Sequence, residues 1–408
     1  MVKELNKDFK QTTIGLIPND WEVKKLGSLG KVISGLTYSP DDVSEENGTL
    51  VLRSSNVQDR QLVFDDNVFV KVDTFNTVQK DDILICVRNG SKNLIGKNAL
   101  ITQEIEGVAF GAFMAIFRSD FNKYLFQIFG TDLYQKEIHK NLGATINSIN
   151  GSDLKEFKIP LPPLPEQQKI AEILSTWDEA IDKSKKIIEE LKVRNKGLVQ
   201  NLLTGKIRVK GFDEKWKVKA INECMSFTPR PIMKPTQNYL ALGLRSHGKG
   251  IFHKTDFNPA AIAMETMYEV KENDLIINIT FAWEHAVAIV SKEDEGGLVS
   301  HRFPTYVFNT QNALPEFFKH FILRKYFKFL LELISPGGAG RNRVMSKTDF
   351  LKLEIKVPKV EEQKSIATIL DKATEELNQY QQKLENLQLQ KKGLMQQLLT
   401  GKVRVKYN

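Results

Sequence analysis

The sequence predicts an α+β protein built twice: two β-rich domains separated by two long helices that form an antiparallel coiled coil, related by a pseudo-two-fold axis. Three observations predict this. They are a gap-free internal repeat, a 3.5-residue apolar seam inside it, and short β-rich runs ahead of each copy.

The repeat comes first because it fixes the architecture. Ile170-Ala171-Glu172-Ile173-Leu174 recurs as Ile366-Ala367-Thr368-Ile369-Leu370, and Leu202-Leu203-Thr204-Gly205-Lys206 as Leu398-Leu399-Thr400-Gly401-Lys402, both at an offset of 196 residues. Glu166 to Lys210 thus recurs at Glu362 to Lys406, and the match extends back without a gap to Asp153 and Asp349.

Within the repeat Ile170, Leu174, Trp177, Ile181, Ser184, Ile188, Leu191, Asn195, Leu198 and Leu202 step alternately by four and three. The second copy gives Ile366, Leu370, Ala373, Leu377, Tyr380, Leu384, Leu387, Lys391, Leu394 and Leu398. Such a sustained seam is a coiled-coil stripe. Pro165 suits a first helical turn, and Gly205 and Gly401 suit left-handed stops. Each helix is then roughly 35 residues, about 50 Å. Asn195 and Lys391 are polar at one seam position, which fits either a register lock or a solvated end. Gly197 and Gly393 weaken their helices by roughly 1 kcal/mol each; a close contact or a fraying last turn would explain them. Glu166–Gln200 holds seven basic and seven acidic residues, and Glu362–Leu399 five of each, so the excess positive charge lies outside the helices.

The flanking segments resemble each other in order. Trp21-Glu22-Val23-Lys24 pairs with Trp216-Lys217-Val218-Lys219, Leu52-Arg53-Ser54 with Leu244-Arg245-Ser246, Asp82-Ile83-Leu84-Ile85 with Asp274-Leu275-Ile276-Ile277, and Gly107-Val108-Ala109 with Gly297-Leu298-Val299. Strands are expected at Leu62–Phe64, Ile83–Val87, Ala109–Phe117, Leu275–Ile279, Ala286–Val290 and Tyr306–Phe308, forming a central, mostly antiparallel sheet in each domain. Aromatic-rich helical stretches follow at Tyr124–His139 and Pro315–Leu333, read as core rather than stacking platforms.

Polar, basic loops lie between the strands. Arg53, Ser54 and Asn56, then Arg88, Asn89 and Lys92, then Thr145 and Asn147 form one set. Arg245, Ser246, His247 and Lys249, with Arg341, Asn342 and Arg343, form the other. These side chains read base edges or hold phosphates, and the interleaved glycines let a backbone approach DNA closely. The bland alternative is a set of solvated loops.

At 408 residues, 41% hydrophobic and 26% charged, the chain is an ordinary globular composition large enough for two cores. A net charge of +8 favours an anionic partner. Cys86 and Cys224 are isolated, which fits a reducing cytoplasm and no structural zinc. No apolar run reaches membrane-spanning length, and the polar start lacks an apolar signal core.

Catalytic motifs are weak. Gly243 to Lys249 has phosphate-loop spacing up to its lysine, but Gly250 stands where Ser or Thr should, and a strand-like run follows. Glu156-x-Lys158 and Glu354-x-Lys356 have a metal-nuclease spacing that strand alternation explains equally well. The six histidines form no metal motif, Leu161-Pro162-Pro163-Leu164 lacks the polar lead and aromatic of an amino-methylation motif, and no dinucleotide or S-adenosylmethionine fingerprint occurs. The chain reads as non-enzymatic.

Ile159-Pro160-Leu161-Pro162-Pro163-Leu164-Pro165-Glu166-Gln167, the Leu-Leu-Thr-Gly-Lys helix ends and Ile14-Gly15-Leu16-Ile17-Pro18 with Trp21-Glu22 together resemble the specificity subunit of Type I restriction–modification systems. The resemblance runs along the whole length, with a looser second copy at Val357-Pro358-Lys359-Val360-Glu361-Glu362-Gln363. It implies target-recognition domains at 1–160 and 207–355 and helical spacers at 161–206 and 356–408. Each domain would read half of a split double-stranded DNA site. The paired helices would act as a ruler and dock two methyltransferase subunits, which restriction and translocase subunits join. S-adenosylmethionine, ATP and Mg²⁺ would belong to those partners, with no cofactor in this chain. A rod of about 50 Å spans roughly 15 base pairs, so the half-sites are expected about one helical turn apart. The rival reading is a scaffold whose coiled coil recruits proteins and never reads DNA.

Overall fold

The computed structural model describes residues 8–45, 48–142, 147–337 and 343–406. The chain divides into two compact units, Met1–Lys185 with Lys383–Asn408, and Lys186–Gln382. Each long helix, Leu164–Leu202 and Val360–Leu398, is therefore shared, and each unit takes the first part of one and the last part of the other. At 39 residues each is about 58 Å long, somewhat longer than the seam alone suggests.

In the first unit an antiparallel sheet runs in the order Asn98–Leu100, Ile83–Cys86, Met114–Arg118, Lys31–Ser34. A second sheet runs Ala109–Phe110, Thr49–Leu52, Phe69–Val70, Val43–Ser44, with its first pair parallel. The expected single strand Ala109–Phe117 is thus two. The chain turns at Gly111-Ala112-Phe113 and crosses from one sheet to the other, because Gly111 bridges Leu36. Gly35 makes that approach feasible: a Cβ there would lie 2.2 Å from the Gly111 carbonyl oxygen. Leu62–Phe64 also falls short of a strand, since only Gln61–Leu62 pairs, in a small hairpin with Val57–Gln58.

The second unit repeats the plan. Met225–Phe227, Thr305–Phe308, Leu275–Ile277 and Val287–Ile289 form an antiparallel sheet, and a five-stranded sheet runs Pro231–Met233, Thr266–Glu269, Leu298–Val299, Tyr239–Leu244, Ile251–Phe257. Leu298–Val299 runs parallel to Tyr239–Leu244, as its counterpart does in the first unit. One central sheet per domain was expected, and two of four or more strands are found in each. Short strands with buried residues on both faces need cover on both sides.

The aromatic stretches are core, as read, but each is two helices. Tyr124–His139 breaks into Asn122–Ile128 and Asp132–Asn141, where Thr131 turns extended. Pro315–Leu333 breaks into Pro315–Phe321 and Lys325–Leu333, where Arg324 does the same. The breaks let Phe129 stack on Tyr134 at 4.4 Å and bring Phe321 edge-on to Phe327 at 6.1 Å.

A buried carboxylate ties each fold together at a repeated position. Asp82 accepts from the Gln79 backbone N–H and from Arg118 at 2.7 and 2.9 Å. Asp274 accepts from the Lys271 backbone and binds Arg230 in the same two-pronged way. The arginines come from non-equivalent positions, so the same buried charge has been neutralised from two directions.

At the helix ends the seam leucines turn back through a left-handed glycine, φ +68° at Gly205 and +69° at Gly401. The turn seats the tail on the tryptophan that opens each domain. Trp21 donates to the fully buried Glu166, whose two oxygens also accept from Arg404 at 2.7 Å each. Trp216 and Arg208 make the same clamp on Glu362. Arg208 and Arg404 stand 196 residues apart, inside the repeat. A Cβ on Gly401 would lie 2.3 Å from Pro18 Cγ, whereas one on Gly205 would lie 3.1 Å from the Trp216 ring. Gly401→Ala is therefore expected to cost about 1–3 kcal/mol more than Gly205→Ala, the usual overpacking range. Denaturation midpoints of the two variants check this, and equal losses would refute it.

Inside each unit the start of one helix packs with the end of the other. Ile170 and Leu174 share a core with Leu398 and Leu399, and Ile366 and Leu370 share one with Leu202 and Leu203. The helices are antiparallel there. The polar seam position is a cross-helix lock and not a solvated end. Lys391 is only 9% exposed and pairs with Asp178, while Asn195 donates to the Ala373 carbonyl at 2.7 Å. A Cβ on Gly197 or Gly393 would meet nothing within 4 Å, so no close helix contact within the chain requires either glycine.

Buried His285 and partly buried His320 are expected to make the second unit acid-sensitive. Burial lowers the affinity of His285 and His320 for a proton, against the pull of the Ile322 carbonyl and of Asp371 respectively. As pH falls through the ordinary value near 6.5, the unfolded chain takes up these protons before the folded one, and stability drops. A loss of stability between pH 7 and 5.5 that His320→Asn and His285→Gln blunt is expected. A flat profile would contradict it.

Candidate nucleic-acid interface

Three loops from distant parts of the first unit meet through hydrogen bonds. Asn89 Nδ2 donates to Ser54 Oγ at 3.0 Å, and its backbone N–H to the Asn147 carbonyl. Asn147 returns a bond to the Gly90 carbonyl at 2.9 Å. Strand ends place all three: the first loop follows Thr49–Leu52, the second follows Ile83–Cys86, and Ser148 bridges Arg88. The polar side chains that the sequence singled out thus largely hold the loops to one another.

Their cations remain at the edge. Arg88 is exposed, 5.7 Å from the Phe113 ring, itself 54% exposed. Lys92 is exposed on a short 3₁₀ turn. Neither has an ion-pair partner among the described residues. Arg53 is different, because its guanidinium is held by Asp66 at 2.8 Å. Asn56 is a correction: it is fully buried, and it accepts from the Arg53 backbone while donating to Val63 and Asn67. It braces the loop from inside and cannot face a ligand. Thr145 lies outside the described residues.

The second unit gathers its loops in the same way with other chemistry. Ser246 Oγ donates to Glu284 at 2.6 Å, and the His247 N–H, at φ +64°, donates to the Glu284 carbonyl. Arg343 lies over Trp283, 5.5 Å from the ring centroid. Arg245 rests against Phe252 at 5.3 Å, and Lys249 is exposed without an ion-pair partner among the described residues. Arg341 and Asn342 lie outside the described residues.

Sequence reading missed the Phe281–His285 turn, which joins the other loops. Its signal was available: counted from Asp82 and Asp274 it aligns with Asn89 and its neighbours at an offset of 192. It lacks the Arg and Asn that drew attention to the first copy. Sequence reading also passed over Arg208 and Arg404, though both lie in the repeat.

Cysteines 86 and 224 are buried, and burial pushes each thiol up to about 11, which makes them poor nucleophiles. Among the described residues no cluster of three His, Cys, Asp or Glu side chains could hold a metal. No described helix is long and apolar enough to cross a membrane. The glycine loop at Gly243–Gly250 is a hairpin turn between two strands rather than a helix start, so the phosphate-loop spacing is accidental.

What the fold defines is a twice-built α+β protein with paired polar loop clusters. Comparison with known proteins gives its family. The family model described as Type I restriction modification DNA specificity domain matches twice, at residues 18–193 and 213–388, and the chain belongs to that family. It is 30% identical to the MjaX type I restriction enzyme specificity subunit of Methanocaldococcus jannaschii, over 98% of this chain and 97% of that one. It is also 30% identical to the EcoKI specificity subunit of Escherichia coli, over 50% of this chain and 46% of that one. The S subunit of a Type I restriction-modification system from M. genitalium shares the fold, with a TM-score of 0.58 at 16% identity over 99% of both chains. The chain is thus a non-catalytic specificity subunit whose task is DNA sequence recognition.

Proposed function

We propose that each loop cluster reads one half of a bipartite DNA site, and that the long helices set the unread spacer and dock two methyltransferase subunits. Restriction and translocase subunits join that core in the cytoplasm, and S-adenosylmethionine, ATP and Mg²⁺ belong to those partners and not to this chain. The observation that carries the reading is the recurrence in both units of three loops fastened together with cations at their rim. Fastened loops present a preformed surface, and free cations meet phosphates. The loop side chains differ between units, Arg88 and Asn89 in one against Trp283, Glu284 and Arg343 in the other, so the two half-sites are expected to differ in sequence.

Binding to a duplex with two half-sites, with and without methyltransferase, tests the reading. Affinity should fall steeply with salt, and scrambling either half-site should abolish preference. Salt-insensitive or sequence-blind binding would favour a scaffold. Arg88→Ala should weaken preference at one half-site and Arg343→Ala at the other, each by about 1–3 kcal/mol if the side chain meets a base. Mapping methylated adenines in a host carrying each variant reads both out. Removing equal lengths from both helices should shorten the unread spacer and leave the half-site sequences unchanged; an unchanged spacer would remove the ruler.

A further inference from the structure

The hairpin Tyr239–Leu244/Ile251–Phe257 carries a row of unusual composition. Gly243 faces Phe252, Ala241 faces Lys254, and Tyr239 faces Phe257. A Cβ at Gly243 would lie 2.4 Å from the Phe252 ring, so the glycine lets that ring lie across the strand. Beside this row is a cavity of about 410 Å³, also walled by Met264, Met267 and Phe303.

The fold does not require the cavity. In the aligned first domain, Val51 and Ala109 occupy the positions of Gly243 and Val299. There both are fully buried, packed with Val70 and by Leu36, Tyr38 and Phe75. In the second domain the same two positions border open space. One cation among its lining residues has no ion pair: the exposed Lys254 has no carboxylate among the described residues. The Lys254 amine sits 5.8 Å from the Phe252 ring and 5.7 Å from the Phe257 ring.

We propose that this cavity receives a single nucleotide drawn from a strand of the bound duplex. The base enters the aromatic and methionine walls, and Lys254 meets its phosphate. Aromatic walls stack any base. Unstacking one nucleotide costs a few kcal/mol, which stacking and the phosphate contact offset. The strand as source rests on the DNA-reading function; the chemistry of the pocket does not.

The test uses the full chain with 2-aminopurine deoxyribonucleoside 5′-monophosphate, alone and then placed at successive positions of a duplex. The expected result is saturable quenching by the mononucleotide, at least fivefold weaker for the nucleoside. Lys254→Gln should erase that difference, and Met264→Trp, which fills the cavity, should abolish quenching. In the duplex, one position should change fluorescence on binding, and Met264→Trp should remove the change while duplex affinity persists. No quenching, or quenching that Met264→Trp leaves intact, overturns the pocket. Quenching by the mononucleotide with no responsive duplex position overturns the strand as source in favour of a free nucleotide. Failure to bind the duplex at all would count against DNA reading, and the mononucleotide titration would still report on the cavity.

Discussion

Arg404→Ala, a change beyond the second long helix, is expected to destabilise the first unit and leave the second intact. Glu166 has no exposed surface, and its carboxylate is neutralised by Arg404 with Trp21 as a further donor. Removing the guanidinium leaves a buried charge with one indole N–H. Breaking a buried pair from one side costs about 3–5 kcal/mol, and the low end applies because Arg404 is 41% exposed. Asp20 supplies an internal control. It binds the same guanidinium at 2.6 and 2.9 Å, and Arg404 lowers its proton affinity, but it is half exposed. Asp20→Ala should cost well under about 1 kcal/mol. Thermal unfolding of the full chain, followed with DNA-sequence preference, reads the outcome. Arg208→Ala should produce the mirror result in the second unit. If Arg404→Ala damaged both units equally, or neither, the clamp would have no local role.

Asp178→Ala should be nearly as damaging, again in the first unit. Asp178 accepts from Gln127 at 2.9 Å and pairs with Lys391, and its charge also acts on Arg60. Burial brings the Arg60 guanidinium down to about 10 and also lowers the Lys391 amine. Both cations would then lose the carboxylate that most offsets their charge. The expected loss is about 3 kcal/mol, discounted for the partial exposure of Asp178. Lys391→Met added to Asp178→Ala should recover at least half of it, because the uncompensated amine is gone. A double variant no more stable than Asp178→Ala would show that the damage comes from Arg60 or Gln127 instead.

The long helices, their seam, their glycine stops and the paired order of the domains were all legible in the sequence. Each depends on local periodicity or on a comparison of the chain with itself, and neither needs coordinates. The loop residues were legible only by type. Arg88, Lys92 and Lys249 lie at the surface as expected, but Asn56 proved to be a buried brace and Asn89 a fastener. Composition does not say whether a polar side chain faces water or a neighbouring loop. The strand at Ala109–Phe117 failed for a related reason. Its apolar run is continuous across a sheet crossing that only the Gly35 and Gly111 contact reveals.

The clamps lay in plain view as Arg208 and Arg404, yet their partners are 154 and 238 residues away. By itself the sequence determined that this protein is built twice on two equal helices, because helical periodicity is a local property. The tertiary structure decided that the tail after the second helix completes the first unit. Antiparallel packing brings the end of one helix to the start of the other, and a buried carboxylate must find its cation wherever the fold delivers one.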